Sequence, residues 1–154
     1  MTGPIYGVSS AAAVTLGAGV AVSALSVIAP ATFGLEVTGF DLSFLGVTAS
    51  DVPVLAEVCQ YSAATAGTST GAATVVQEGG LAIAAGFTAF YDYTVEPTAL
   101  TVFRRFALTP NGGVILYDIP LGNEPQCDVS KGLILRLTAP AAQSAWVTMR
   151  VRRI

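Results

Sequence analysis

The chain contains no histidine, and that one absence removes Ser-His and Cys-His nucleophile systems, the zinc-hydrolase spacings and the usual near-neutral proton shuttle. A Ser-Lys dyad has a single lysine to draw on, Lys131, and its neighbour Ser130 points elsewhere because adjacent residues on a strand or turn diverge. Charge is the second scarcity. Charged residues make up 11% of the 154 residues, against about 25% in ordinary soluble domains. Apolar residues make up 53%, so an isolated monomer has few polar groups with which to cover itself, which points to burial by partners. The alternative is a bland neutral surface of Ala, Gly, Ser and Thr.

Basic residues are missing altogether from residues 1–103, which carry the carboxylates Glu36, Asp41, Asp51, Glu57, Glu78, Asp92 and Glu96. Arg104, Arg105, Lys131, Arg136, Arg150, Arg152 and Arg153 all follow, with only Asp118, Glu124 and Asp128 among them. If the fold keeps these parts apart, the acidic surface of one copy can meet the basic surface of the next; if strands from both parts interleave, the charges cancel within the monomer. The net charge of −3 argues against a dedicated nucleic-acid reader, although Arg150, Arg152 and Arg153 could touch phosphate.

Cysteine is too scarce for a disulfide scaffold. Cys59 sits in an apolar strand pattern and reads as a buried free thiol, and Cys127 lies in a polar stretch that reads as loop. The apolar opening has no charge before Glu36. It lacks the positive n-region of a secretion signal, and its Ala/Gly/Ser/Thr composition would insert weakly into lipid, so it reads as neither signal nor membrane segment. Val14, Leu16, Val20 and Val22 share one parity there, which is strand alternation.

No segment sustains apolar residues at helical spacing. Short β-rich runs instead predict strands near 13–28, 33–46, 53–62, 72–78, 81–95, 99–108, 114–119, 132–139 and 145–152. Asn111-Gly112 between Leu100–Leu108 and Val114–Ile119 predicts a hairpin. Residues 62–71 read as a small-residue loop. In the last strand Val147, Met149 and Val151 share the inward face, and Thr148, Arg150 and Arg152 the outward one. Together these predict an all-β fold, an antiparallel two-sheet sandwich of the jelly-roll kind, with an immunoglobulin-like sandwich as runner-up. Residues 1–30 form an extended N-terminal arm or a first strand, packed on the domain or on a neighbour, and 31–154 form the single sandwich domain.

The remaining chemistry is thin. Asp92 and Glu96 could make a glycosidase pair beside Phe90, Tyr91 and Tyr93, or the tyrosines could stack on a sugar. Asp118, Glu124 and Asp128 bracket the Pro120–Pro125 loop without an EF-hand spacing, so solvation is preferred to calcium. The sequence therefore predicts no catalytic residue, cofactor or metal.

The stretch Tyr93-Thr-Val-Glu-Pro-Thr-Ala-Leu-Thr-Val102, with Pro110-Asn-Gly-Gly, Pro120-Leu-Gly-Asn-Glu-Pro125, Leu137-Thr-Ala-Pro-Ala-Ala and Gly67-Thr-Ser-Thr, resembles small β-rich proteins from the head-gene module of actinobacterial tailed phages. The likeness covers about residues 50–154 and rests on turn motifs. It implies a virion structural protein, foremost a capsid decoration or cement (minor capsid) protein. Such a protein would be assembled in the host cytoplasm and sit on the capsid surface, as a homo-oligomer with a trimer favoured, bound to the major capsid protein and to neither nucleic acid nor membrane. Another virion component, of tail or connector, and a carbohydrate-binding module are the alternatives. Arg150, Arg152, Arg153, Tyr91 and Tyr93 are the candidate interface residues.

Overall fold

The alternation along Ala145-Trp-Val-Thr-Met-Arg-Val151 becomes a strand whose odd positions are fully buried, as a half-buried sheet requires. The computed structural model describes residues 3–45, 52–79, 81–110 and 114–154, and in it the chain is an all-β, antiparallel two-sheet sandwich. The strands are β1 (Ile5–Ser9), β2 (Val14–Leu16), β3 (Ala21–Ile28), β4 (Leu35–Leu45), β5 (Val54–Ser62), β6 (Thr68–Ala72), β7 (Thr74–Gln77), β8 (Thr88–Val95), β9 (Thr101–Leu108), β10 (Val114–Asp118), β11 (Gln126–Cys127), β12 (Lys131–Thr138) and β13 (Gln143–Arg153). A seven-stranded sheet has the order β10-β4-β13-β1-β7, with β11 on β4 and β2 on β13; a six-stranded sheet has the order β6-β8-β3-β12-β5-β9. These strands outnumber the eight of a simple jelly roll. The core lies between the sheets, filled by Tyr6, Val8, Leu16, Leu25, Phe40, Leu42, Leu133, Leu135, Met149 and Val151 among others.

Among the described residues of 1–30, strands β1, β2 and β3 pair within the chain's own sheets rather than extending as a free arm. β1 lies between β13 and β7, and Tyr6 and Val8 are buried. The single strand expected over 13–28 is split, because the chain leaves the seven-stranded sheet after β2 and enters the six-stranded one at β3. Gly19, with φ of 69°, supplies the left-handed backbone for that step.

The expected hairpin of 100–108 with 114–119 is not the observed pairing. β9 pairs with β5 and β10 with β4, so the two strands lie in opposite sheets; the turn at Asn111-Gly112 lies outside the described residues. Each strand has one half-buried face, and those faces meet across the interior, with the Phe106 and Tyr117 ring centroids 5.0 Å apart. Alternation and a glycine turn are common to a hairpin and to a connection that arches between sheets, so the local signal did not discriminate. Residues 62–71, expected as loop, hold a 3-10 turn over Ala63–Thr65 and most of β6.

The six-stranded sheet is buried on both faces at its centre. Cys59, Ile134, Tyr61, Tyr93 and Ser26 face away from the main core yet are buried. β8 and β9 are separated by three strands, and the connection between them crosses this outer face. There Glu96 accepts hydrogen bonds from Ser23 N (2.6 Å) and Ser23 Oγ (2.5 Å), and Pro97 is buried. Gly132 is required beneath, because the Tyr61 ring lies where a Cβ would stand.

Candidate functional site

The basic residues put forward as interface contacts are engaged within the chain. β13 lies beside β4, so its arginines meet the carboxylates of the early sequence. Arg150 reaches Asp41 (3.2 Å) and Asp118 (2.6 Å), lying over Gly39, where a side chain would block it. Arg152 pairs with the buried Glu36 and approaches Glu124 at 3.9 Å. Arg153 packs on the Phe33 ring, 3.9 Å from its centroid, and donates to Ala84 O. On the six-stranded sheet, Glu57 accepts from Arg105 Nε (2.8 Å) and from Arg136 Nε (2.8 Å). Burial pushes the Glu57 pKa up, but the two guanidiniums outweigh it and hold the carboxyl below its ordinary value. Interleaved strands thus cancel much of the charge that is separated along the sequence.

The tyrosines are likewise committed. Tyr93 is buried, with its hydroxyl 2.6 Å from Ser26 Oγ, and Tyr91 packs against the core. Stacking a sugar on Tyr93 would require opening the sheet's covered face. Asp92, at φ of 52°, accepts at its carbonyl from Thr70 Oγ1 (2.6 Å), whereas Glu96 is bound to Ser23, so the two carboxylates serve different strands. Asp118, Glu124 and Asp128 do not gather: they engage Arg150, Gly122 N and Val129 N respectively. Among the described residues no group of His, Cys, Asp or Glu could hold a metal ion, and no helix is long and apolar enough to cross a membrane. Both cysteines are free and buried, and burial raises each thiol pKa to about 11. Cys127 belongs to β11 and the core rather than to a loop, because β11 pairs with β4.

What remains open is apolar. In the outer face of the seven-stranded sheet, Val114 and Trp146 flank Ser43 in one cross-strand row. Leu116 lies one pleat along β10, and Leu45 one pleat along β4 from Ser43. Leu45 is thus diagonal to both Val114 and Trp146, Leu116 is next to Val114 on the same face, and Ser43 stands between Val114 and Trp146. Leu116 is 69% exposed and Trp146 44% exposed. Asp41, Asp118, Arg150 and Thr148 border this group on one side, so apolar side chains sit beside polar ones as they do at protein-binding patches. Sequence reasoning passed over these residues, although the signal was present. If Val147 and Met149 point inward, Trp146 points out; for β10, apolar on both parities, only its place at the sheet edge beside β4 leaves Val114 and Leu116 exposed.

The sheet edges are the second open feature. Among the described residues β10 pairs only with β4, β7 only with β1, β6 only with β8 and β9 only with β5. Comparison with known proteins finds no matching family model, no similar curated protein and no similar solved structure.

Proposed function

We propose that this chain is a structural protein of a tailed-phage virion, a capsid decoration or cement protein that binds the head and associates with its own copies. The carrying observation is the apolar face of Val114, Leu116, Leu45 and Trp146 on a sandwich in which Glu36, Asp41, Glu57, Glu96 and Asp118 are bonded within the chain and both thiols are buried. Tryptophan is among the residue types that most often anchor protein contacts, and Trp146 is the largest side chain of this face. The resemblance to head-module proteins supplies the partner, the major capsid protein. A position in the tail or connector would use the same face.

The test is co-sedimentation of the purified protein with expanded heads lacking it. Trp146→Ser combined with Leu116→Ser should leave the fold intact and weaken head binding about thirtyfold or more, since loss of an anchor costs about 2 kcal/mol or more. Head binding unchanged by both substitutions would overturn the docking face.

A further inference from the structure

We infer that copies of this chain associate head to tail through the six-stranded sheet, β6 of one copy pairing antiparallel with β9 of the next. The inference rests on the self-association part of the proposed function and gives it a geometry.

Four observations carry it. Both edges are open among the described residues, so each leaves a row of backbone donors and acceptors without a strand partner. Every neighbouring pair in this sheet is antiparallel, so across six strands β6 and β9 run in opposite directions. A copy added in the same sense therefore continues the alternation. In the seven-stranded sheet the path β10-β4-β13-β1-β7 has an odd number of strands, so β10 and β7 run the same way and the same addition would force a parallel pair.

The third observation is that the β6 edge lacks the usual protection. Thr68-Ser-Thr-Gly-Ala-Ala-Thr-Val-Val-Gln77 contains no charge and no proline, the residues that keep natural edges from pairing. Its backbone runs from β6 into β7 through Ala73, whose N–H is bonded to Ala89 O (3.0 Å), so it forms one continuous side of the sandwich.

The fourth is charge. From Ser62 to Glu96 the ionised side chains are Glu78, Asp92 and Glu96, and among the described residues none has a cationic side chain within 4.0 Å. On the other side, Arg104 has no carboxylate partner among the described residues and donates to Asn123 O (2.6 Å), while Arg105 and Arg136 share the single carboxylate of Glu57. A twofold contact of β6 with β6 would face acid to acid, and β9 with β9 would face arginine to arginine. Only the head-to-tail arrangement is complementary, and such contacts close into rings when the rotation permits.

Single cysteines test the pairing, because the native thiols are buried. Ala72 on β6 and Ala107 on β9 are exposed. Full-length Ala72→Cys is mixed with differently tagged Ala107→Cys under mild oxidation, and the mixture is repeated with Phe103→Cys to sample a second register. The expected result is a cross-link in the mixture and none in either variant alone. Asp92→Asn, which suits the positive φ, should weaken association about two- to fivefold at low salt, a difference lost at high salt. Cross-linking of Ala72→Cys with itself would overturn the inference in favour of a twofold edge. No cross-link in a sample that light scattering shows to be oligomeric would overturn the edge pairing and leave self-association standing. A monomer at every concentration would overturn both, while head binding by that monomer would still uphold the docking face.

Discussion

Glu57 offers the sharpest energetic test of charge cancellation within the monomer. Its carboxylate is 6% exposed and is shared by Arg136, 22% exposed, and Arg105, 64% exposed. Hydrogen bonds to charged groups contribute about 1.5–3 kcal/mol when shielded, whereas an exposed ion pair contributes about 0–1 kcal/mol. Arg136→Ala should therefore cost about 2–3 kcal/mol and Arg105→Ala less than about 1 kcal/mol. Glu57→Gln, which leaves Arg136 without its anion, should cost about 3 kcal/mol. Urea unfolding at neutral pH, with unchanged m-values, measures all three. The pH dependence follows from the lowered Glu57 pKa. Its contribution is fully present above the ordinary carboxylate value of 4.5 and is lost as pH falls through the lower folded value. That part of the acid sensitivity should vanish in Glu57→Gln. An Arg105→Ala penalty equal to that of Arg136→Ala, or an unaltered acid limb in Glu57→Gln, would refute the reasoning.

Removing residues 2–12 should abolish cooperative unfolding, because β1 is an interior strand carrying the buried Tyr6 and Val8; a folded deletion variant by circular dichroism and urea titration would contradict its placement. With both thiol pKa values raised to about 11, neither cysteine should react with a thiol reagent at neutral pH until denaturant is added, and rapid labelling of the native protein would contradict their burial. Gly132→Ala should displace Tyr61 and cost about 1–3 kcal/mol of stability, measured by thermal melting; a neutral result would mean the ring yields freely.

The fold class was legible because strand periodicity survives in β4, β12 and β13, whose inward residues fill the core. In β12 the unbroken Leu133-Ile-Leu135 run belongs to a strand covered on both faces, a signal the sequence reading did not use. Topology was less legible. A glycine turn between two alternating runs specifies a reversal of direction, and only long-range packing of Phe106 on Tyr117 and Phe40 decides that the second run enters the other sheet. β6 was hidden because Thr, Ser, Gly and Ala carry no burial pattern, and an edge strand needs none. Charge left two alternatives open, because separation along the chain says nothing of separation in space; β13 lying against β4 decides for cancellation within the chain. Tyr93, read as available to a ligand, is buried by a connection whose course no local pattern reports. Trp146 could have been found by following strand parity one residue further.

The most direct measurement of the proposed function is quantitative mass spectrometry of density-purified tailed-phage virions produced from a genome that encodes this chain. The account predicts the chain in fixed ratio to the major capsid protein, and lost from heads when Trp146 and Leu116 are both changed to Ser. Its absence from purified virions would contradict the assignment outright.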